Sequence, residues 1–165
     1  MTPTLSAVQT GHTPEDTGIT QAGRLAAALL DCTADTFALA IKTQAFHWNC
    51  TGPLFMALHN LTEEHYQDLI NALDDMAERV RALGESAPIS ASEMLVRSSI
   101  PEETEIPDAR AMIVSLGEDH ALAARRCRKA VQLADEHDDV ATADLLTQRI
   151  ALHEKAIWML SALAE

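Results

Sequence analysis

The 165-residue chain contains few aromatic, glycine, proline or basic residues. Aromatic residues make up 4% of it, and glycine and proline number six each, which disfavours collagen-like and low-complexity proteins and a turn-rich all-β fold. No uninterrupted apolar run approaches the roughly 20 residues that cross a bilayer. The N-terminus lacks a cationic start and an apolar stretch, so we expect no signal peptide and a cytoplasmic protein without membrane contacts.

Positive charge is scarce throughout the chain. Acidic residues outnumber basic ones 25 to 12, which leaves a formal charge of −13, and the first basic residue is Arg24. A surface of this kind repels nucleic acid and anionic lipid unless its cations are gathered in one patch. The run from Arg125 to Lys129 holds four cations, but helical geometry distributes them around the cylinder. The sequence therefore favours binding of cations over binding of DNA.

The cysteines number three, Cys32, Cys50 and Cys127, and no two have CxxC spacing. An odd number with this spacing indicates neither a disulfide framework nor a zinc cluster. We expect buried, reduced thiols.

Hydrophobic periodicity predicts an all-α fold. Residues 1–18 are polar and aperiodic, and we interpret them as a flexible tail before a single domain over 19–165. Four long helical patterns follow: Thr20–Trp48, Pro53–Leu83, Pro107–Glu136 and a last one ending near Leu163. Thr51 or Gly52 is expected to cap the second helix and Gly84 to end it.

The connection between helices two and three is too long for a simple turn. Ser90 there is positioned to cap a short amphipathic helix over residues 92–96. Four long helices with such a crossover between the second and third predict a ferritin-like four-helix bundle, with a short extra helix in the connection.

Helix two carries two pairs of potential metal ligands. His59 and Glu63 share one face, as do Asp74 and Glu78, and imidazole with carboxylate is a ligand set for iron, manganese or zinc. The centres of the pairs are 15 residues apart, or about 22 Å along a helix. One chain therefore cannot combine them, and a solvated acidic face is the alternative interpretation.

Two copies of the helix can combine the pairs. The two copies are placed antiparallel about a two-fold axis near residues 68–69. His59 and Glu63 of each chain then face Asp74 and Glu78 of the other chain. His47, at the end of helix one, is a further candidate ligand. No glutamate has a histidine three residues later, which disfavours the usual di-iron site within one bundle.

Several segments make the chain resemble a known family. His47–His59 (HWNCTGPLFMALH) resembles a signature of the Dps family, the mini-ferritins named for DNA protection in starved cells. Residues 73–79 (LDDMAER), 142–146 (TADLL) and 153–160 (HEKAIWML) resemble later segments of that family. The similarity extends over roughly residues 20–163.

This resemblance implies a ferroxidase that stores iron in a hollow dodecamer and protects against oxidative damage. It implies a two-iron site between subunits, with His47, His59 and Glu63 from one subunit and Asp74 and Glu78 from its neighbour. Fe(II) and hydrogen peroxide are the implied substrates. The alternative is a DNA-coating nucleoid protein of the same family, which the acidic charge and non-basic termini disfavour.

The resemblance also bears on residues around the site. The position of Glu63 is often Asp in relatives, and the longer side chain can change how many oxygens it offers. Trp48 resembles the family's ferroxidase tryptophan, with core packing at the helix end as the alternative. Asp138, Asp139 and Asp144 are either linings of an iron-entry pore or part of a solvated loop.

The remaining candidates are expected to be structural. Packing is the expected role of Met76. The other histidines are predicted to lie at the surface or at helix ends: His12, His65, His120, His137 and His153.

Overall fold

The structure, a computed structural model, describes residues 17–165. These residues contain no strand and form five helices, α1 (Ala22–Asn49), α2 (Phe55–Ala82), α3 (Ala91–Arg97), α4 (Ala109–Glu136) and α5 (Val140–Ala164). The predicted all-α fold with a short extra helix is therefore confirmed. Residues 1–16 of the predicted tail lie outside the described part of the chain. Within that part, no helix combines the length and the apolarity that a membrane span requires.

Helix ends follow the sequence signals with one exception. Ser90 caps α3 by accepting a hydrogen bond from the Glu93 amide at 3.2 Å, as predicted. Gly84 follows α2 with a φ of 88°, which confirms the predicted left-handed glycine. The predicted cap of α2 at Thr51 or Gly52 is wrong. The N-cap residue is Leu54, whose side chain makes no capping hydrogen bond. In the turn before the helix, the Gly52 carbonyl oxygen instead accepts a hydrogen bond from the Phe55 amide at 3.0 Å.

Ion pairs across the bundle define the direction of each helix. Lys42 donates to Asp119 at 2.7 Å, while Asp35, earlier in α1, bonds to Arg126, later in α4, at 3.1 Å. Helices α1 and α4 are therefore antiparallel, and α2, which follows α1 after a short turn, runs in the same direction as α4. This is the up-down-down-up order that the long connection predicts.

The crossover that carries α3 is bound to α1 through charged groups. The Asp35 carboxylate, fully buried, accepts from the Ser98 hydroxyl at 3.0 Å and the Ser99 amide at 2.6 Å. Arg97 of α3 also bonds to Asp31 at 2.6 Å. All of the bonds to Asp35 are to its Oδ1 atom, while Oδ2 is buried without a hydrogen-bond partner. Because a buried carboxylate depends on its partners, the bonds to Oδ1 fix where the crossover lies on α1.

The apolar core consists of two clusters along the bundle. One includes Leu29, Val80 and Leu146, and the other includes Leu58 and Leu116. A series of buried polar side chains accompanies these clusters, including Lys42, His47, Asp119, His120, Arg149 and His153. Polar groups at this depth need partners, and their partners define the two histidine groups described below.

Candidate metal centre

His47 and His59 lie face to face where α1 turns into α2. His47 is near the last turn of α1 and His59 is just inside α2, so the short connection brings them together. Their rings stack with centroids 3.8 Å apart and planes 20° apart. His47 is buried and His59 is half-buried. The predicted link between the end of helix one and the start of helix two is therefore present in the structure.

Each of these histidines is held by the backbone of the other. Nδ1 of His47 bonds to the carbonyl oxygen of His59 at 2.9 Å, and Nδ1 of His59 bonds to the carbonyl oxygen of His47 at 3.0 Å. A carbonyl oxygen only accepts, so both Nδ1 atoms must carry the proton. When the rings are neutral, both Nε2 atoms then have a free lone pair, which is the form of imidazole that binds metal.

Aromatic rings and a carboxylate complete the surroundings of the pair. Tyr66 lies edge-on to the His47 ring at 5.3 Å, and Phe55 lies 5.0 Å from the His59 ring. Glu63, half-buried, follows His59 by one turn on α2. This end of the molecule therefore carries two fixed imidazoles with a carboxylate beside them, which are donors suited to iron or zinc.

The second pair of predicted ligands lies elsewhere on the same helix. Asp74 and Glu78 are both exposed, and Asp74 follows Glu63 by 11 residues, or about 16 Å along α2. Within residues 17–165 of a single chain, no three His, Cys, Asp or Glu side chains are arranged to hold a metal ion. The five predicted ligands are thus divided between two places, and their union between subunits stays a prediction.

Two further predictions near the site have different outcomes. Trp48 is 68% exposed, so core packing within the chain does not explain it. The prediction that Asp139 lines a pore is wrong, because its side chain is buried. It caps α5 by accepting a hydrogen bond from the Thr142 amide at 2.9 Å, and it accepts another from Arg79 at 2.5 Å. Asp138 and Asp144 are exposed, and their role in a pore stays a prediction.

The prediction that His65, His120 and His153 lie at the surface or at helix ends is wrong. His120 and His153 are buried, and their Nδ1 atoms are hydrogen-bonded to each other at 2.9 Å. The half-buried His65 ring lies edge-on to His120 at 5.4 Å. We refer to these three residues as the inner histidine group. They line a cavity of about 210 Å³ with Asp68, Arg149 and others.

Burial sets the protonation of the inner histidine group. It lowers the pKa of His120 well below the usual value, and the nearby His153, His65 and Arg149 lower it further. The pKa of His65 is also lowered, again mainly by burial. Periodicity could have identified two of these residues, because His120 and His153 fall within the buried stripes of α4 and α5.

The other predictions from single residues are confirmed where the structure describes them. All three cysteines are buried and free. Met76 is fully buried, and its sulfur accepts from the Thr36 hydroxyl at 3.8 Å, as expected for packing. His137 lies at the end of α4, 3.1 Å from the Thr20 hydroxyl. His12 lies outside the described residues.

The amino-acid sequence of this chain is similar to a family model and to several known proteins. The family model of the ferritin-like domain matches residues 26–165. A low temperature-induced protein of a Nostoc species is 39% identical over 135 residues, which cover 80% of this chain and 75% of that protein. The DNA protection during starvation protein of Brevibacillus brevis is 38% identical over 132 residues, covering 80% and 89%.

A solved structure shows the same similarity in three dimensions. The Dps protein of Vibrio cholerae O1, described as a member of a broad superfamily of ferritin-like diiron-carboxylate proteins, superimposes with a TM-score of 0.84 at 33% identity. The match covers 88% of this chain and 92% of that one.

Proposed function

This chain belongs to the Dps family of ferritin-like proteins, and we propose that it oxidises Fe(II), with hydrogen peroxide as the preferred oxidant, at sites shared between two subunits. In this proposal His47, His59 and Glu63 of one subunit bind iron together with Asp74 and Glu78 of the neighbouring subunit. The ferric product is stored in the interior of a 12-subunit shell, which removes both iron and peroxide from the cell.

The observation that carries the proposal is the reciprocal bonding of His47 and His59. Both Nδ1 atoms are committed to carbonyl oxygens, so both Nε2 lone pairs are fixed in place before any metal arrives. Preorganised ligands bind without the cost of ordering flexible side chains.

The separation of the ligands supports the placement between subunits. Asp74 and Glu78 are exposed and lie too far along α2 to meet His59 of the same chain. An antiparallel neighbour brings its own acidic pair to that point, and one two-fold axis then creates two identical sites. The carboxylates lower the net charge of bound iron, and they favour the ferric product over Fe(II).

The chemistry of two neighbouring irons explains why peroxide is a suitable oxidant. Two Fe(II) ions together supply the two electrons that split the O–O bond of one peroxide molecule. The oxygens leave as water or hydroxide, so no hydroxyl radical is released. Hydrolysis of the two ferric ions to oxyhydroxide releases four protons in the overall reaction, and the mineral grows from that product.

Mixed assemblies of two inactive variants test whether the site is shared. We expect both His59→Ala and Glu78→Ala to lose rapid iron oxidation when each is assembled alone. In a mixed pair, one site carries both defects and the other carries none. Random pairing at equal amounts should therefore restore about a quarter of the wild-type sites. Co-expression of two differently tagged chains, followed by stopped-flow measurement of ferric absorbance, provides the readout.

The mixing experiment has a matched control. Mixing His59→Ala with Glu63→Ala should restore no site, because both residues belong to the same half. Recovery that is equal in the two mixtures, or absent from both, would contradict the shared site. Light scattering that finds a stable monomer or a 24-subunit shell would contradict the proposed assembly.

The charge distribution disfavours the alternative of a DNA-coating protein. Within residues 17–165, five arginines are paired with carboxylates: Arg79, Arg97, Arg126, Arg128 and Arg149. In the basic run of α4, Arg126 lies against Asp35 while Arg128 pairs with Glu154, so the run does not form one unpaired patch. Binding of DNA depends on releasing counterions with clustered, available cations.

We therefore expect no retardation of duplex DNA by the assembled protein at about 0.15 M salt and neutral pH, where screening limits charge effects to about 8 Å. A gel mobility assay checks this expectation. Retardation at low micromolar protein that disappears in Arg128→Glu would establish a basic surface and favour the DNA-coating function.

A further inference from the structure

Each carbonyl oxygen that orients His47 or His59 also accepts a hydrogen bond from a second side chain. The His59 carbonyl oxygen accepts from His47 Nδ1 at 2.9 Å and from the Thr62 hydroxyl at 3.0 Å. The His47 carbonyl oxygen accepts from His59 Nδ1 at 3.0 Å and from the Cys50 thiol at 3.5 Å. Thr62 and Cys50 are buried, with exposed fractions of 0% and 2%. Both of these donors are therefore shielded from solvent.

The contact with the His59 carbonyl distinguishes Thr62 from the buried threonines of α1. Three of those donate to the carbonyl oxygen four residues earlier at 2.7 to 2.9 Å: Thr33, Thr36 and Thr43. Thr62 makes the same kind of bond, to Leu58 at 2.7 Å, and its hydroxyl also lies 3.0 Å from the carbonyl oxygen of His59, three residues earlier. The hydroxyl proton is thus shared between two carbonyls, one of which is the partner of His47.

The position of His59 inside a helix explains why its carbonyl needs this second donor. A carbonyl in a helix normally accepts from the amide four residues later and points along the helix axis. It has to tilt away from that axis to accept the Nδ1 proton of His47, which belongs to the neighbouring helix α1. Threonine hydroxyls that bond to the preceding turn bend helices. Thr62 therefore favours the tilt with which the His59 carbonyl reaches His47.

The carbonyl of His47 depends on Cys50 for a different reason. Helix α1 ends at Asn49, so the His47 carbonyl has no amide of a following helical turn to accept from. The Cys50 amide closes the last turn on the Phe46 carbonyl at 2.9 Å, and the Cys50 thiol bonds to the next carbonyl, that of His47. Because a thiol is a weak donor, we expect Cys50 to contribute less than Thr62.

We propose, on the basis of the function proposed above, that Thr62 and Cys50 are positioning residues for iron binding. Thr62 holds the carbonyl that orients His47, and Cys50 holds the carbonyl that orients His59. With that carbonyl in place, each neutral ring keeps its proton on Nδ1 and its lone pair on Nε2. Without it, the ring can rotate or carry its proton on Nε2, which removes the lone pair that binds iron.

Binding of Zn²⁺, which has no redox chemistry, tests the proposal on the iron-free assembled protein. Thr62→Val removes the hydroxyl with little change of size. We expect it to weaken Zn²⁺ binding about threefold to tenfold, which is less than the roughly 10- to 100-fold that follows loss of a ligand's direct partner. Thr62→Ser keeps the hydroxyl and should bind nearly as tightly as the wild type. Cys50→Ala should bind about two- to threefold more weakly. Competition with a chromophoric chelator gives the dissociation constants.

Solid-state NMR of the same protein, labelled with ¹⁵N-histidine, provides a readout that a change in packing alone would not alter. At about pH 8 the rings are neutral, and the nitrogen shifts distinguish a proton on Nδ1 from one on Nε2. We expect His47 to carry its proton on Nδ1 in the wild type and in Thr62→Ser. In Thr62→Val it should divide between the two forms. The resonances of His47 are identified by their loss in His47→Gln.

Thr33→Val is the matched control. The Thr33 hydroxyl donates to the Leu29 carbonyl at 2.8 Å in an equally buried setting, about 21 Å along α1 from His47. This variant should keep the wild-type Zn²⁺ affinity and the wild-type histidine spectrum. Wild-type affinity and spectrum in Thr62→Val, or an equal loss in Thr33→Val, would overturn the role of Thr62. Unchanged Zn²⁺ binding in Cys50→Ala would overturn that of Cys50.

The two measurements also separate this proposal from the ferroxidase function, because neither uses iron or peroxide. If the wild type bound Zn²⁺ and Thr62→Val lost affinity as expected, while the wild type failed to oxidise Fe(II), the positioning role would stand and the ferroxidase function would be refuted. If the wild type oxidised Fe(II) rapidly and Thr62→Val kept its Zn²⁺ affinity and its histidine spectrum, the reverse would hold.

Discussion

The described part of the chain contains two groups of histidines that differ in what their Nδ1 atoms contact. In the outer pair, His47 and His59, each Nδ1 bonds to a backbone carbonyl at 2.9 or 3.0 Å. In the inner histidine group, the Nδ1 atoms of His120 and His153 bond to each other at 2.9 Å. Carbonyl partners force both outer rings into one tautomer, whereas a shared proton forces the two inner rings into opposite ones. In the neutral rings, both Nε2 atoms of the outer pair therefore have a free lone pair, whereas one of the two inner Nε2 atoms, neither of which has a hydrogen-bond partner, carries a proton.

The charges around the two groups reinforce this difference. The outer pair has Glu63 on the next turn of α2. The inner group has Arg149 against it, and Arg149 bonds to both oxygens of Asp68 at 3.2 and 2.7 Å. An arginine close by disfavours a cation, and its carboxylate partner is already in use. Burial of imidazole alone thus does not make a metal site, because the partner of the second nitrogen and the nearest charge decide the outcome.

The largest expected effect separates the two groups by function. We expect His59→Ala to lower the initial rate of Fe(II) oxidation by peroxide at least about 100-fold, because a direct ligand is lost. His120→Gln should change that rate by less than about twofold, although it alters a more deeply buried histidine. Stopped-flow absorbance of the ferric product measures both. Equal losses in the two variants would show that the comparison between the groups is mistaken.

Sequence patterns predicted the fold better than they predicted the polar interior. The helices, the crossover and the spacing of His59, Glu63, Asp74 and Glu78 follow from periodicity and from short-range geometry. The inner histidine group was missed because its partners come from three helices, and single-residue statistics place histidines at the surface. Asp139 was misassigned for the same reason, since its partner Arg79 is 60 residues away.

Two adjacent glutamates provide a finer test of the outer site. Glu63 follows His59 by one turn and is half-buried, while Glu64 is exposed and borders the cavity of the inner group. We expect Glu63→Gln to slow iron oxidation about tenfold and Glu64→Gln to leave it within about twofold. The two variants differ from the wild type by the same atoms. If Glu64→Gln were the slower enzyme, the site would have to include the cavity.

The inner group should be detectable through the pH dependence of stability. The pKa of His120 is lowered in the folded state, so the unfolded state takes up a proton first as the pH falls below about 6.5. The contribution of His120 to the free energy of unfolding is therefore fully present above that pH. It decreases towards lower pH by up to about 1.4 kcal/mol per pH unit.

Thermal unfolding of the iron-free protein at pH 7.5 and 5.5 measures this loss. His120→Gln does not titrate, so we expect it to reduce the acid-induced decrease in Tm by about 2–4 °C. His65, whose pKa is lowered in the same direction, should account for part of the dependence that remains. An unchanged pH dependence in His120→Gln would show that the inner group does not resist protonation.

The smallest expected effect concerns the two tryptophans, which are equally exposed in the single chain. Trp48 is 68% exposed and follows His47 directly, whereas Trp158 is 67% exposed and lies on α5. Quenching of indole fluorescence by a bound transition metal decreases steeply with distance, so iron at the outer pair should affect Trp48 more. We expect anaerobic Fe(II) to quench the emission of Trp158→Phe, in which Trp48 alone emits, and to leave that of Trp48→Phe nearly unchanged. Stronger quenching in Trp48→Phe would move the iron away from His47 and towards α5, which would reverse the assignment of the two histidine groups.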